Sequence, residues 1–589
     1  MTRWIVREDE RPRRFDPWIV AAIVPLSLLV FLVARNGLDL PLIDQWSFVP
    51  LIERFHTGTL TLADLWTQHG EHRLIFPRII MLGLGGLTGW NIRYELGVSV
   101  LLAIGIFFVL VRIIGRDRPP GVKPLPGWWW ALLSLAVFSL SQWENWLWGW
   151  QMQVFLNVLC VAGTIAVLTR RPLGWKTVAA AGLVGVAATY SFGNGLLVWP
   201  VGLALVGLAP EVLGRRSALL AFWAVLSGVV IWSYLADFQR NPSTPPLETV
   251  FVQPLTYLRY VATYLGSPLA SFSGSAWPPR DTGVGAVVGA AGVVVLLLTT
   301  RRTLRRPRTE WPLGSLALAA YAIGSGLVVS LARFSFGTPN AFASRYTTVS
   351  TLFWIGTLGV VWAVARGEAP NRRRLWLGAI AAAATLIAVS SVYSIPIFSA
   401  RRAFLLPARA EMTRGEDVEL LKRLHPEVQQ VTFGLVVLRR FRLSVFRDAR
   451  TVQELVESRP KKLARFGQIL RPIFRVESVR PKQELTIPVR ITNPTTELWS
   501  ASGDGTGTYA VHLSYHWIDF AGRAVVYDGY RTALPHDLRT GESVSVEARV
   551  AAPPIPGRYV LRLSMVQEGV SWFDSAAGGA SDLPVEVVP

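Results

Sequence analysis

The chain has 589 residues, of which 51% are hydrophobic and only 17% are charged. This composition is too apolar for an ordinary water-soluble protein of this length and indicates a membrane protein. The formal net charge of +20 does not indicate a nucleic-acid partner, because the basic residues form short clusters between hydrophobic segments. The single cysteine, Cys160, lies inside an apolar segment, so an intramolecular disulfide is excluded.

Eleven windows of the sequence have the length and the low charge of transmembrane helices. The first window follows a basic N-terminal segment, 1–16, which is predicted to be cytoplasmic. This window is long enough to cross a bilayer and has no small-residue cleavage signature, so we interpret it as a retained span and not as a signal peptide. In chain order the predicted spans are 17–35, 92–111, 127–142, 152–168, 176–190, 194–209, 218–236, 283–300, 312–331, 346–365 and 375–396.

Basic residues in alternate connections set the predicted orientation. Arg and Lys cluster after every second span, as in the run from Arg301 to Arg308, whereas the other connections are poorer in basic residues for their length. The positive-inside rule therefore places the basic connections in the cytoplasm and the others outside. The segment 17–396 is predicted to be a transmembrane domain with two long outer loops, 36–91 and 237–282.

Both long outer loops carry helical patterns. In the first loop, apolar residues recur at three-residue spacing from Trp46 to Phe55, and a second apolar segment reads "RLIFPRIIMLGLGGLTG". These patterns predict helices that lie at the membrane interface rather than further spans. The second loop contains "TVFVQPLTYLRYVATYLGSPL", where the proline punctuation predicts a surface helix.

The chain changes character after the last predicted span. Residues 397–470 are basic and mixed in pattern, and we predict a helical linker close to the membrane. From 471 to 589, "AVHLSYHWID", "SVSVEARV" and "YVLRLSMVQ" alternate apolar and polar residues between turns, which predicts an all-β sandwich outside the membrane. The aromatic residues of this domain either pack in its core or stack on sugar rings; they are Tyr515, Trp517, Tyr527, Tyr530 and Trp572.

Ionisable residues away from the basic connections concentrate on the predicted outer face, where they need partners or a function. Asp44 lies soon after the first span and either caps a helix that begins there or acts as a catalytic base. In "QHGEHR", the adjacent Glu71, His72 and Arg73 form either a solvated turn or a site where an arginine meets a lipid phosphate. Acids and bases on one face suggest an anionic ligand and a proton-transfer step.

The histidines of this motif raise the question of a metal ion. His69 and His72 flank Glu71, but the sequence has no H-E-x-x-H pattern at this place. A structural zinc site is therefore not predicted, and a loosely held divalent metal ion remains an open alternative.

Two further outer segments hold candidate site residues. In "WENWLWGWQ", Glu144 and Asn145 stand among tryptophans typical of an interfacial aromatic belt, and such a carboxylate is suited to bind a sugar hydroxyl or shuttle a proton. In "SRYTT", Arg345 and Tyr346 open a span, where an arginine either reaches the lipid headgroups or binds a substrate. Asn194 lies in "SFGN", a predicted tight hairpin.

This layout resembles the GT-C superfamily of integral-membrane glycosyltransferases, which use polyprenyl-phosphate-linked sugars, as in the dolichyl-phosphate-mannose and aminoarabinose transferase types. The resemblance covers 17–396 and is carried by "IDQW", "EHRLIFPR", the acid of "QWENW" and "SRYTT", in that order and on one face. It implies that Asp44 activates or orients the acceptor hydroxyl, and that Arg73, assisted by His72, binds the donor phosphate.

The resemblance also implies that Glu144 faces the cavity as a second acid, and that Arg345 with Tyr346 grips phosphate or sugar. The sequence departs from the family pattern in two places: a single Asp stands in place of paired acids, and Phe76-Pro77 replaces a proline pair. Metal dependence and donor identity therefore remain open. The C-terminal segment resembles the Ig-like domains of bacterial cell-envelope proteins.

The sequence thus predicts a membrane enzyme that transfers a sugar, with inversion, from a polyprenyl-phosphate donor to a glycan, lipid or protein of the cell envelope. The reaction is expected on the outer side of a bacterial cytoplasmic membrane. No nucleotide or haem motif occurs in a supporting structural context, so ATP-driven transport is not predicted. Two alternatives remain open: a transporter or flippase of lipid-linked saccharides, and a non-catalytic envelope scaffold that presents the sandwich.

Overall fold

The computed structural model of the chain describes most of its residues. The described ranges are 16–117, 125–209, 211–240, 244–246, 248–274, 282–414, 417–447, 461–474, 476–503, 507–575 and 579–589. The predicted cytoplasmic segment 1–16 therefore lies outside the described residues except for Asp16. That residue caps the first helix, because its carboxylate accepts a hydrogen bond from the Trp18 amide at 3.0 Å.

The part of the chain before the C-terminal domain is helical. Its α-helices are α1 (Pro17–Asn36), α2 (Val49–Thr57), α3 (Leu62–Trp66), α4 (Ile75–Thr88), α5 (Ile92–Arg116), α6 (Trp128–Val137), α7 (Trp143–Leu147), α8 (Met152–Leu168), α9 (Trp175–Thr189), α10 (Val198–Gly207), α11 (Leu213–Leu235), α12 (Thr249–Val252), α13 (Pro254–Ala270), α14 (Gly283–Thr303), α15 (Leu313–Arg333), α16 (Thr347–Ala365), α17 (Pro370–Arg414), α18 (Val418–Lys422) and α19 (Val428–Arg440).

Each of the eleven predicted spans coincides with a helix of the described residues. Eight helical segments are long and apolar enough to cross a membrane, so the prediction of a polytopic helical membrane protein is confirmed. The other three windows contain shorter helices: α6 and α10 have 10 residues each and α9 has 15. Fifteen residues rise about 22 Å, which is less than the apolar thickness of a typical bilayer.

The loops that connect the helices lie in two groups, one at each end of the bundle, and hydrogen bonds join loops within a group. At one end, Glu211 accepts the Leu173 amide at 2.7 Å, and Asp117 accepts the Gly314 amide at 3.0 Å. The predicted cytoplasmic connections therefore lie together, and we call this the basic end. The predicted outer connections meet at the other end, which we call the site end. The short helices α9 and α10 each run from one end of the bundle to the other, as required if successive loops alternate between the two ends.

Helix α13 differs from its prediction as a surface helix. It packs antiparallel against α14 at very short range, since a Cβ atom on Gly266 would lie 1.9 Å from the carbonyl oxygen of Gly285. Small residues allow such close approach of apolar helices. Most residues from Tyr260 to Ala270 are buried. The apolar side of this helix therefore meets other helices rather than a membrane surface.

The first outer loop is covered by the end of the chain's longest helix. Helix α17 has 45 residues and continues far beyond the last predicted span, so the first part of the predicted linker extends that helix. Leu405 and Met412 of this extension, with residues of α19, form an apolar core with Trp46 and Ile52. The amphipathic helix of the first loop thus buries its apolar face in protein, not in lipid.

The C-terminal domain consists of two facing β-sheets around its own apolar core, as predicted. One sheet has the order β4-β12-β10-β6-β7, with β8 beside β6 and β11 beside β10; the other has the order β3-β5-β9. A small hairpin, β1 and β2, belongs to the first loop. The strands are β1 (Gln68–His69), β2 (His72–Arg73), β3 (Ile469–Pro472), β4 (Ser478–Val479), β5 (Glu484–Thr492), β6 (Val511–Asp519), β7 (Ala524–Val526), β8 (Thr532–Ala533), β9 (Ser543–Ala551), β10 (Gly557–Gln567), β11 (Ser571–Trp572) and β12 (Ser581–Val587).

The aromatic residues of the sandwich divide between its core and its surface. Tyr515, Trp517 and Trp572 are buried, so they pack inside the protein. Tyr527 and Tyr530 are 57% and 45% exposed, and only these two of the five are open to stack on a sugar ring.

Candidate active site

Asp44 lies on a 3-10 turn, Ile43–Phe48, directly after the first span. The N-cap of this turn is Leu42, so the structure does not support the capping alternative for Asp44. The Asp44 side chain is 40% exposed, and its Oδ1 atom lies 3.8 Å from His69 Nε2. Ile43 has φ of 45°, a rare conformation for a β-branched residue that often marks functional positions. Its amide donates to the Leu424 carbonyl at 2.8 Å, which holds the turn in place.

A buried layer beneath this turn fixes its position. Gln45 donates to Glu95 Oε2 at 2.7 Å and accepts the Leu42 amide at 3.1 Å, while the Trp90 indole donates to Glu95 Oε1 at 2.9 Å. Gly149 also meets this layer, since a Cβ atom there would lie 2.2 Å from Glu95 Oε2. The turn that carries Asp44 is therefore packed against the loop that follows Glu144.

Glu71 and Arg333 form an ion pair across the site end. Glu71 sits in the hairpin turn between β1 and β2, and Arg333 ends α15. Arg333 Nη2 donates to Glu71 Oε2 at 2.7 Å, and both side chains are mostly buried. Such partly buried, charge-assisted contacts are stronger than exposed pairs.

His72 is a neutral acceptor in this structure. Its Nδ1 atom accepts the Gly193 amide at 3.1 Å, and its ring stacks on Phe192 with centroids 4.2 Å apart. Burial lowers the pKa of His72 to about 3, and the charges of His69 and Arg333 act in the same direction. The proton of the neutral ring is therefore on Nε2. His72 is not a cation that attracts phosphate, in contrast to the assisting role implied by the resemblance.

Arg73 has a different environment from the predicted phosphate clamp. Its side chain is buried and donates to the carbonyl oxygens of Tyr234 at 2.8 Å, of Trp66 at 3.0 Å and of Ala236. Its guanidinium carbon lies 5.2 Å from the centroid of the Trp66 ring. Because all three guanidinium nitrogens already bind main-chain carbonyls, Arg73 occupies a structural position that joins the first loop to the end of α11.

Glu144 and Arg345 connect two further loops. Glu144 accepts the Arg345 amide at 3.0 Å and Arg345 Nη1 at 3.3 Å, and the Glu144 amide donates to Ser344 Oγ at 3.0 Å. Asn145 donates to the Arg345 carbonyl at 3.0 Å and to Thr348 Oγ1 at 2.7 Å. The predicted residues of "WENW" and "SRYTT" are thus brought together. Glu144 is held by several donors and is less open than Asp44.

Tyr260 connects the two arginines of the site end. The hydroxyl groups of Tyr260 and Tyr346 both donate to Asn340 Oδ1, at 3.1 and 3.3 Å. Arg333 and Arg345 are both close enough to act electrostatically on the Tyr260 hydroxyl. The Glu71–Arg333 and Glu144–Arg345 pairs therefore belong to one polar cluster.

Asn194 and Arg333 are two further polar residues near the hairpin of Glu71 and His72. Asn194 is buried, and the neighbouring Gly193 amide makes the contact to His72 instead. Arg333 pairs with Glu71 across 262 residues, a contact that no local sequence pattern indicates. Within the described ranges, no group of three or more His, Cys, Asp or Glu side chains is placed to hold a metal ion.

The fold and the site define a polytopic membrane protein with an acid–base and arginine cluster at one end of its helix bundle. No family model and no curated protein matches the chain. Solved structures that are similar to it include the following two. The archaeal oligosaccharyltransferase AglB from Archaeoglobus fulgidus, in complex with an inhibitory peptide and a dolichol-phosphate, is 15% identical over 69% of this chain and 58% of its own, with a TM-score of 0.36.

The second structure is ArnT from Cupriavidus metallidurans bound to undecaprenyl phosphate, which is 13% identical over 79% of this chain and 82% of its own, with a TM-score of 0.34. This chain spans less than two thirds of the length of the archaeal chain. Both of these structures contain a polyprenyl phosphate.

Proposed function

We propose that this protein is a membrane glycosyltransferase that moves a sugar from a polyprenyl-phosphate-linked donor to an acceptor at the site end. The observation that carries this proposal is the convergence of Asp44 with two arginine–carboxylate pairs, Glu71–Arg333 and Glu144–Arg345, from separate loops. A partly exposed carboxylate in the same cluster as partly buried arginines supplies both a base and stabilisation for an anionic leaving group.

The proposed reaction is a single displacement at the anomeric carbon. Asp44 accepts the proton of the acceptor hydroxyl while the hydroxyl oxygen forms its bond to that carbon. The bond between the anomeric carbon and the phosphate oxygen breaks, and the phosphate leaves with the electron pair. Arg345 stabilises the charge that develops on the phosphate, since a guanidinium offers several donors to phosphate oxygens. The configuration of the sugar is inverted.

The other predicted residues receive supporting roles in this proposal. Glu144 orients Arg345 through the two hydrogen bonds that it accepts. Asn145 and Tyr346 hold the same loop, and Glu71 orients Arg333. Arg73 fixes the first loop through its carbonyl contacts and does not bind the phosphate.

We further propose that the site end faces outward from a bacterial cytoplasmic membrane. The support is the charge of the basic end, where Arg302 pairs with Glu368 and Arg306 donates to the Ala363 carbonyl. The domains are then a cytoplasmic segment, a membrane domain ending near 396, a juxtamembrane linker up to about 470 and an outer sandwich. The acceptor is a glycan, a lipid or a protein of the envelope.

A transport function receives less support from the charge distribution. A transporter or flippase needs polar groups along a path between both ends. In α8 and α16, most of whose residues are buried inside the bundle, no Asp, Glu, Lys or Arg occurs, whereas the ionisable cluster sits at one end.

The proposal is tested by mass spectrometry of cells that lack the protein. We expect one polyprenyl-phosphate sugar to accumulate and one sugar residue to disappear from an envelope glycan, lipid or protein. Complementation with the wild-type chain should reverse both changes, and the Asp44→Asn variant, expressed at the same level, should reverse neither. An unchanged lipid-linked sugar pool in the deleted cells would contradict the proposal.

A further inference from the structure

Arg401 lies on the extension of α17 and carries its guanidinium group to the site end. Its Nε atom is buried and has no acceptor among the described residues. Its guanidinium carbon lies 5.3 Å from the centroid of the Trp143 ring, next to the loop of Glu144. A buried guanidinium nitrogen without an acceptor lowers the stability of the folded protein, and a bound anion would remove this penalty.

The surroundings of Arg401 leave its donors available. The cation–π contact with the Trp143 ring face occupies none of the N–H donors of Arg401. Glu144 is close enough to act on Arg401 electrostatically, but its oxygens are bonded to Arg345. Two guanidinium groups therefore flank one carboxylate, and the group of three carries an excess positive charge.

The backbone that carries Arg401 is anchored to the turn of Asp44. Further along α17, Leu405 and Ala408 belong to the same apolar core as Trp46. Arg409 donates to the Asp39 carbonyl at 3.3 Å, and Asp39 forms an ion pair of 2.7 Å with Arg447. These contacts fix the helix against the first loop, as a site that positions phosphate relative to a base requires.

We infer that Arg401, together with Arg345, binds the phosphate of the lipid-linked donor, so that the last long helix supplies a substrate ligand. This inference rests on the proposed function and adds a residue to its phosphate site. The shared chemistry of the ligand is a phosphate ester at the membrane surface. A polyprenyl phosphate and a bulk phospholipid both offer this chemistry, so the test must separate them.

The test measures binding of undecaprenyl phosphate to the purified full-length protein in neutral-lipid nanodiscs, by native mass spectrometry or tryptophan fluorescence. Removal of one charge-assisted contact in Arg401→Gln should weaken binding by about 10- to 100-fold. Arg401→Lys keeps the positive charge but loses the planar guanidinium group. Its affinity for undecaprenyl phosphate should therefore lie between those of the wild type and Arg401→Gln. Arg374→Gln, an exposed arginine at the basic end of the same helix, removes the same charge and should bind as the wild type does.

The outcomes separate this inference from the proposed function. Tight binding by the wild type and equal binding by Arg401→Gln, with both proteins folded by thermal unfolding, would overturn the role of Arg401 and leave the glycosyltransferase proposal intact. Absence of wild-type binding would overturn both. Undecaprenol lacks the phosphate, so the wild type and the Arg401 variants should bind it with equal affinity. Equal competition by phosphatidylglycerol would also overturn the inference, because Arg401 would then serve the bulk lipid.

Discussion

Replacement of Arg73 by alanine should destabilise the fold rather than remove a substrate contact. The variant leaves the carbonyl oxygens of Trp66, Tyr234 and Ala236 without their charged donor. A hydrogen bond to a charged group contributes about 1.5 to 3 kcal/mol, and the lost contact with the Trp66 ring adds about 0.5 to 1 kcal/mol. Because water can reach part of this site, we expect a total loss of about 3 to 5 kcal/mol.

The assay is thermal unfolding in detergent micelles, followed by tryptophan fluorescence, together with binding of undecaprenyl phosphate below the transition. We expect Arg73→Ala to unfold at a clearly lower temperature and its folded fraction to bind the lipid with unchanged affinity. Arg374→Ala, at an exposed position, provides the control and should unfold like the wild type. A variant at Arg73 with wild-type stability and lost lipid affinity would refute this reasoning and restore Arg73 as a phosphate ligand.

Three further predictions concern the acid–base groups. Asp44→Asn should lower the transfer rate by about 10²- to 10⁴-fold without changing donor affinity, as measured by release of polyprenyl phosphate. Glu144→Gln should raise the dissociation constant of undecaprenyl phosphate by roughly 10-fold, because Arg345 loses its charged partner; an unchanged constant would show that Arg345 needs no orientation. His72 has a folded-state pKa below its ordinary value of 6.5, so its contribution to stability is complete above pH 6.5 and declines as the pH falls toward 3. The free energy of unfolding should fall by about 1 to 2 kcal/mol at pH 5 through this group, and this decrease should be absent in His72→Gln. Parallel pH profiles of the unfolding free energy in the two proteins would contradict the prediction.

The sequence predicts the parts of this fold that depend on local pattern. Runs of apolar residues and alternating basic connections indicate the helices and their alternation between two ends, and two-residue periodicity indicates strands such as β6 and β10. The same reasoning gathers Asp44 and Glu144 on one face. These features depend on the composition and the hydrophobic periodicity of short stretches of sequence, so they can be read without knowledge of distant contacts.

The parts that the sequence does not predict depend on distant contacts. Arg73 looks like a free cation because its acceptors, the carbonyls of Tyr234 and Ala236, lie 161 and 163 positions away. Helix α13 has the pattern of a surface helix, and only its close approach to Gly285 shows that it is packed. One local signal for Arg401 does exist: an arginine pair just outside the last span opposes the usual charge bias of outer segments.

The most direct test of the account follows phosphate release by the purified protein. Wild type, Asp44→Asn and Arg374→Gln are incubated in nanodiscs with the polyprenyl-phosphate sugars and the envelope acceptors extracted from cells that lack the protein, and free polyprenyl phosphate is measured. The account predicts release by the wild type and by Arg374→Gln, and only bound, uncleaved donor with Asp44→Asn. Equal release by Asp44→Asn, or no release by the wild type, would contradict a glycosyltransferase that uses Asp44 as its base.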